Sequence, residues 1–189
     1  LEEVVIGKKL NALNVFSVID TQIKPVDSSQ DILQQVPGLI IGQHAGGGKA
    51  EQIFLRGFDI DHGTDITLNV DGLPVNMVSH THGQGYADLH FVIPETVKKI
   101  DFGKGPYYAN KGNFNTAGYV EFKTKNRLQS SKIKLDIGEF DTQRLLGMFN
   151  LINNKKHSAY IASEFIKTDG YFESSQNFNR LNILGKYIG

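Results

Sequence analysis

The chain contains no cysteine and no tryptophan, and its formal net charge is zero because 20 Lys and Arg balance 20 Asp and Glu. Without cysteine, a disulfide framework, a thiolate metal site and a cysteine nucleophile are excluded. The balanced charge argues against a dedicated nucleic-acid binder with a strongly basic surface. No apolar run approaches the roughly 18 residues that a transmembrane helix needs. Membrane-spanning β-strands remain possible, because they need only alternation over about ten residues.

Glycine is the residue that the chain has in excess, with 20 among 189 residues. Glycine at this level predicts turns, bulges and places where backbone approaches backbone closely. The sequence pattern changes near residues 125–131. Before this boundary it predicts a small α+β unit with long glycine-bearing loops, and after it a set of antiparallel strands.

The N-terminal part contains one helix signal and several short strand signals. Ser28 is a good N-cap for a helix of two turns, which Pro37-Gly38 would end. Asp71-Gly72 is a strong turn signal between two extended segments. The strands that the apolar pattern predicts are Leu39–Ile41, Gln52–Leu55, Ile66–Val70, Val97–Phe102 and Gly118–Phe122.

The C-terminal part alternates apolar and polar residues with the period of a β-strand. Ile133, Leu135 and Ile137 alternate with lysine and aspartate and predict a first strand. Three further strands are predicted over Arg144–Ile152, His157–Lys167 and Asn179–Ile188. Such a meander would leave its last strand unpaired and one apolar face uncovered. We therefore expect the sheet to continue beyond Gly189.

Histidines concentrate in the segment Ser79–His90. In an extended chain His80 and His82 point to the same side, a spacing that can chelate a borderline metal ion. Asp88 or His90 would then complete a set of three ligands. The alternative is a polar loop whose imidazoles form local hydrogen bonds or face a water-filled cavity. The sequence leaves both interpretations open.

Motifs for catalysis are missing. The glycine-rich segment Gly42–Ala50 differs from a phosphate-binding loop, because Lys49 comes one place late and Ala50 replaces the hydroxyl residue. Neither a Gly-x-Ser-x-Gly elbow nor a His-Glu-x-x-His helix occurs. We therefore expect that the protein is not an enzyme.

Five short motifs follow one another between residues 31 and 125. They are Asp31–Gly38 with its Val-Pro-Gly stop, Ile53–Phe58 with Arg-Gly, Val70–Val75 with Val-Asp-Gly-x-Pro, Val97–Pro106, and Ala117–Lys125. In this order they resemble the plug domain of TonB-dependent outer-membrane receptors. Lys104 stands where the family usually has arginine. The strands that follow resemble the start of the receptors' β-barrel.

The resemblance implies a fold and a division of the chain. Residues 1–7 are expected to be a Ton-box-like segment, 8–126 an α+β plug domain, and 127–189 the first four or so strands of an antiparallel barrel of about 22 strands. The plug would lie inside the barrel. Asn153–Lys156 would be a short periplasmic turn, whereas Gly138–Thr142 and Thr168–Asn177 would face outward.

The resemblance also implies partners at the N-terminus. In such receptors the Ton box pairs as an added strand with the periplasmic energy-transducing protein, TonB. We expect this role for the residues at the start of the chain, which are Leu1, Glu2, Glu3, Val4, Val5 and Ile6. Alternating valine and isoleucine suits strand addition, where main-chain hydrogen bonds supply the affinity. The alternative is a frayed terminal strand.

The function implied is active transport of a scarce nutrient across the outer membrane, with the plug as gate. The expected ligand is a siderophore-iron complex, a metal ion, haem, cobalamin, a peptide or a glycan, and no resident cofactor is expected. Expected contacts from the apical plug loops are His44, His80, His82, Gln84, Tyr86 and His90, with His80 and His82 as metal ligands. Structural motif positions of the plug are Arg56, Gly57, Asp71 and Gly72. The alternatives are an outer-membrane sensor or adhesion receptor that uses the same plug without import, and an independent soluble binding module.

Overall fold

The structure is a computed structural model of the chain, and it describes residues 15–18, 26, 28–43, 47–60, 65–77, 79–81, 86–113 and 115–189. The predicted Ton-box segment, residues 1–6, lies outside the described residues, as do His44, His82 and Gln84. Among the helices that the structure describes, none is long and apolar enough to cross a membrane.

Twelve strands form three sheets in the described part of the chain. They are β1 Val15–Val18, β2 Leu39–Gly42, β3 Gln52–Leu55, β4 Phe58–Ile60, β5 Ile66–Val70, β6 Leu73–Pro74, β7 Val97–Lys104, β8 Gly118–Thr124, β9 Lys132–Ile137, β10 Gln143–Asn153, β11 Ser158–Thr168 and β12 Phe178–Ile188. The short helix α1 spans Ser29–Leu33, and 3₁₀ turns cover Pro94–Thr96 and Ala109–Lys111. Every strand predicted from the sequence is confirmed, with its ends within two residues.

The helix α1 begins where the sequence predicts, but it ends at Leu33, earlier than the predicted stop at Pro37-Gly38. The Ser28 hydroxyl accepts a hydrogen bond from the Asp31 amide at 3.2 Å, and the Ser28 amide donates to the Asp31 carboxylate at 3.0 Å. This reciprocal pair is a capping box. Turns follow Leu33 up to Gly38, which has φ +82° just before β2, a conformation that glycine adopts without steric cost.

The described residues between 15 and 125 form an N-terminal unit built from two of the sheets. Its five-stranded sheet has the order β1-β7-β8-β5-β6, with β5 and β8 parallel, and its three-stranded sheet has the order β2-β3-β4. Both sheets and α1 contribute to one apolar core, whose most deeply buried members are Ile32, Ile66, Leu68, Val97, Val120 and Phe122.

Residues 132–188 form a four-stranded antiparallel meander of order β12-β11-β10-β9. Its two faces differ as the alternation predicts. One face is apolar and exposed: Ile133 is 70% exposed, Leu135 62% and Leu181 60%. The other face packs against the N-terminal unit and buries Leu146 and Ala162 completely.

An apolar patch joins the meander to the N-terminal unit. Ile93 of the N-terminal unit and Leu128 of the connecting segment pack against side chains on the inner face of the meander, namely Leu146, Met148, Tyr160 and Ala162. The connection itself is fixed, because the Ser158 hydroxyl donates a hydrogen bond to the Asn126 carbonyl at 2.7 Å. The two parts therefore share an apolar interface, and a hydrogen bond fixes the segment that connects them.

Candidate functional site

Two of the predicted ligand contacts, His80 and Tyr86, lie together. Their rings stack with centroids 4.4 Å apart and planes 13° apart. Tyr86 forms two backbone hydrogen bonds with Met77, and its hydroxyl accepts a hydrogen bond from the Ala50 amide at 2.8 Å. Tyr86 thus connects the histidine-bearing loop to the glycine-rich loop that precedes Ala50.

The glycine-rich loop also contacts the meander. A Cβ added at Gly47 would come within 3.0 Å of the Phe178 ring at the start of β12. That distance is shorter than an ordinary van der Waals contact, so the ring packs against the bare backbone of the loop. The described end of the glycine-rich loop, residues 47–50, is therefore held by contacts with Tyr86 and Phe178.

His90, a further predicted contact, is largely enclosed. Its side chain is 13% exposed, and its Nδ1 and Nε2 atoms lie 2.7 Å from Asp88 and 3.2 Å from Glu51. Burial alone would lower the pKa of His90, but the two carboxylates outweigh it and raise the pKa to about 9. The imidazole is therefore charged at neutral pH. Gln30 donates to the far oxygen of Glu51 at 2.7 Å and fixes that carboxylate.

The backbone of His90 reaches the meander directly. Its carbonyl accepts a hydrogen bond from the Asn182 side chain of β12 at 2.7 Å. Asn182 also donates to Glu164 at 3.2 Å. Through Asn182, His90 is thus connected to a buried charged cluster.

That cluster is centred on Arg144 of β10. Its guanidinium donates to both carboxylate oxygens of Glu95 at 2.7 and 2.6 Å, and to Glu164 at 3.0 and 2.6 Å. The three side chains are at most 5% exposed. Arg180 approaches Glu164 at 3.3 Å, so two guanidinium groups balance two carboxylates.

Glu95 is presented by the 3₁₀ turn before β7, where Pro94 fixes the first position. Burial alone would raise the pKa of Glu95, but the hydrogen bonds and charge of Arg144 outweigh it and hold the pKa below its ordinary value. The sequence analysis missed this cluster. A signal was present, because arginine at position 144 and glutamate at position 164 fall on the inward-facing positions of otherwise apolar strands.

The motif positions Arg56 and Gly57 form the turn between β3 and β4. Their φ angles are +54° and +86°, and Leu55 pairs directly with Phe58. Two residues in the left-handed region are typical of a type I′ turn, which matches the twist of a hairpin. The geometry of the turn therefore accounts for the Arg-Gly pair at these positions without a role in ligand binding.

Asp71 and Gly72 form a similar turn between β5 and β6, with φ angles of +51° and +85°. The Asp71 carboxylate also accepts hydrogen bonds from the Thr124 amide at 2.9 Å, the Thr124 hydroxyl, and the Lys186 ammonium at 2.9 Å. Lys186 belongs to β12, so this turn is a second polar contact between the N-terminal unit and the meander. Burial would raise the pKa of Asp71, but these hydrogen bonds together lower it.

No group of three or more His, Asp or Glu side chains suited to a metal ion occurs among the described residues. Both ring nitrogens of His90 already face carboxylates. A site formed by His80 and His82 stays a prediction, because His82 lies outside the described residues.

Comparison with known proteins connects this architecture to a family. The family model of the TonB-dependent receptor plug domain matches residues 9–119, more than half of the chain. The chain therefore belongs to this family, and it consists of a plug domain followed by antiparallel strands of a receptor barrel. The order of the five sequence motifs predicted this assignment.

Solved structures of receptors share the fold. The copper transporter OprC matches with a TM-score of 0.65 and 18% identity over 93% of this chain and 27% of its own. The siderophore receptor PirA from Pseudomonas aeruginosa matches with a TM-score of 0.61 and 20% identity over 91% and 31%. The ferric yersiniabactin uptake receptor FyuA from Yersinia pestis matches with a TM-score of 0.59 and 17% identity over 92% and 28%. The chain thus spans between about a quarter and a third of the length of these receptors.

Proposed function

We propose that the protein is an outer-membrane receptor that imports a scarce ligand with energy from a TonB-type protein, and that the plug gates the barrel. The observation that supports this most is the buried contact of Arg144 with Glu95, made on the inner face of strands whose other face is apolar and exposed. A barrel wall with lipid on its outer side and a docked plug on its inner side explains why one face is apolar and exposed and the other carries a buried ion pair.

The proposed ligand site is the outer end of the plug. His80 and Tyr86 form its described part. In this proposal, His82 and Gln84 between them in sequence and His44 of the glycine-rich loop complete the site. The stacked rings of His80 and Tyr86 would offer a ligand an aromatic face and the polar edge of the imidazole at the same place. His90, with both ring nitrogens engaged, supports the loop from below in this proposal.

A metal ion or a metal chelate is the first ligand class to test. The His-x-His spacing at residues 80–82 is the reason, since imidazole nitrogens suit zinc and copper. By their names, OprC is a copper transporter, PirA a siderophore receptor and FyuA a ferric yersiniabactin uptake receptor. At these identities the likeness concerns the fold, so the ligand of this protein must be measured.

The metal version predicts direct binding. Titration of the full-length protein with Zn²⁺ and Cu²⁺ should give a Kd below about 100 µM. The double variant His80→Ala/His82→Ala should lose this binding, whereas His157→Ala, at the opposite end of the strands, should retain it. Binding weaker than that limit, or equal binding in the double variant, would exclude a metal site at His80 and His82.

If import is driven by strand addition at residues 1–6, uptake should depend on the main-chain hydrogen-bond donors of this segment. Strand addition relies on main-chain hydrogen bonds, and proline removes one donor. Val4→Pro should therefore abolish uptake of the growth-supporting nutrient, whereas the matched Val4→Ala variant should transport almost normally. Growth of a deletion strain on single defined nutrients, complemented by each variant, measures this.

Ligand binding to whole cells and the amount of receptor in the outer membrane serve as controls for these variants. Both should be equal for Val4→Pro and Val4→Ala. Unchanged uptake after deletion of residues 1–6 contradicts the proposal. Ligand-dependent signalling without any uptake would favour a sensor instead.

A further inference from the structure

The two ends of the meander differ in charge, although the chain as a whole is neutral. The loops 138–142 and 169–177 contain Glu139, Asp141, Asp169 and Glu173 and no Lys or Arg. The opposite end, formed by residues 125–131 and 154–157, contains Lys125, Arg127, Lys155 and Lys156 and no Asp or Glu. An anionic partner would therefore find one attractive end of the sheet and one repulsive end.

Three of the basic residues are held in one place, and we call Arg127, Lys155 and Lys156 the basic rim. The Arg127 guanidinium donates to the Asn154 carbonyl at 2.8 Å, which joins the connecting segment to the turn. The Asn154 side chain accepts hydrogen bonds from the Lys156 and His157 amides at 3.0 and 2.8 Å. The turn is thus fixed by its own hydrogen bonds while its lysines stay exposed.

The basic rim directly continues the exposed apolar face. Leu151 is 65% exposed and Tyr187 60%, and the Tyr187 hydroxyl lies 2.7 Å from His157 beside the turn. An aromatic side chain with a polar tip at this level is typical of the boundary between hydrocarbon and headgroups. A ligand that fits both surfaces has an anionic head and an apolar tail.

A shallow hollow of about 220 Å³ lies further up the same apolar face. Its floor is formed where Gly147 pairs with Ser163, two small residues between larger ones. Its lining includes Ile133, Leu145, Gly147, Phe149, Ser163 and Phe165. The two strands that form this floor, β10 and β11, each pair with a strand on both sides. No unpaired strand edge therefore borders the hollow.

The spacing between hollow and rim fits one membrane leaflet. Gly147 precedes the turn by about six residues, or about 20 Å of strand. At a strand tilt of about 40°, this is a depth of about 15 Å. Half of a hydrocarbon core of about 30 Å is the same depth. An acyl chain whose head lies at the basic rim would therefore end near the hollow.

We propose that the basic rim binds the headgroup of an anionic glycerophospholipid in the periplasmic leaflet, with an acyl chain along the apolar face toward Gly147. This inference rests on the proposed function, which places the apolar face in the outer membrane, and on the sequence-based expectation that the turn 153–156 is periplasmic. The acidic outer loops oppose binding of the same lipid at the other end.

Native mass spectrometry of the full-length protein in detergent tests this with two probes, phosphatidylglycerol and phosphatidylethanolamine. The wild type should retain phosphatidylglycerol preferentially. A basic residue near a lipid surface contributes roughly fivefold in affinity, so Lys155→Gln/Lys156→Gln should weaken phosphatidylglycerol binding by roughly 25-fold. The control Lys98→Gln/Lys104→Gln removes two charges from the plug strand β7 and should leave the preference unchanged.

Filling the hollow gives an independent readout. Ser163→Phe should reduce retention of both lipids, because it displaces the acyl chain and leaves the basic rim intact. Equal retention of the two headgroups by the wild type would overturn the proposal, and so would an unchanged preference after loss of both lysines. Selective loss of lipopolysaccharide in the lysine variant would also overturn it, since that lipid occupies the other leaflet. If the protein fractionates with the outer membrane and imports its ligand but shows no headgroup preference, only this inference fails.

Discussion

Arg144 bridges two carboxylates that belong to different parts of the chain, Glu95 of the plug and Glu164 of the adjacent strand. Glu95 is 49 residues away in sequence, so no local pattern could predict the pairing. The inward position of Arg144 could be predicted, because it follows the alternation of β10. The sequence pattern did not predict that the 3₁₀ turn of the plug lies opposite this strand.

Replacing Arg144 by methionine should strongly destabilise the packing of the plug against the barrel strands. Arg144→Met keeps much of the apolar stem but leaves Glu95 and Glu164 buried without their main countercharge. Removal of one partner from a buried ion pair costs about 3–5 kcal/mol. Denaturant unfolding of the full-length protein and protease protection of residues 26–125 would measure the loss.

The exposed Arg127 provides the matched control for that variant. Its guanidinium donates to a backbone carbonyl at the surface, so Arg127→Met should change stability by less than about 1 kcal/mol. Equal behaviour of the two methionine variants would show that the Arg144 cluster does not hold the plug.

The hairpin of β5 and β6 and the long strands were predictable as single elements, because their sequence signals are local. Alternation predicted β9 to β12, and Asp-Gly predicted the turn between β5 and β6. The strands β1 and β4 are short and were not predicted, since three or four residues give little periodicity. The parallel pairing of β5 with β8 likewise depends on tertiary packing.

The turn between β3 and β4 should be sensitive to a single methyl group. Gly57 has φ +86° and nothing within 4 Å of an added Cβ, so Gly57→Ala meets no steric contact and changes only the backbone preference. A non-glycine residue in the left-handed region costs about 1–2 kcal/mol. We expect a loss of that size in unfolding free energy.

Gly185 on β12 is the matching control, because it also has open space around an added Cβ but no positive φ. Gly185→Ala should be neutral or slightly stabilising, since alanine restricts the unfolded chain more than glycine does. A Gly57→Ala variant as stable as Gly185→Ala would contradict the type I′ turn.

Across the whole molecule, two sets of ionisable groups in the plug respond to pH in opposite directions. Hydrogen bonds and nearby cations lower the pKa of the carboxylates Asp71, Asp88, Glu95 and Glu121, although burial alone would raise it. A lowered folded-state pKa stabilises above the ordinary value, 3.8 for Asp and 4.5 for Glu, and the stabilisation is lost as pH falls below it. Acid should therefore release the same contacts that hold the plug against β10 and β12.

His90 acts in the other direction. Its pKa is raised from 6.5 to about 9, because Asp88 and Glu51 outweigh the effect of burial. Its stabilisation is complete below pH 6.5 and is lost as pH rises to about 9. The charge of Arg180 also helps to lower the pKa of Asp88.

Together these groups predict a maximum of plug stability between about pH 4.5 and pH 6.5. Unfolding free energy and protease protection of the full-length protein, measured from pH 3 to pH 10, should decline on both sides of that window. His90→Gln should lower stability within the window and flatten the decline between pH 6.5 and pH 9, because the titrating imidazole is gone. Its acid decline should stay, since the carboxylates on β8 and at the contacts with β10 and β12 are unchanged. A maximum above pH 9, or an alkaline decline that is identical in the variant, would show that the ion pairs of His90 do not stabilise the folded plug.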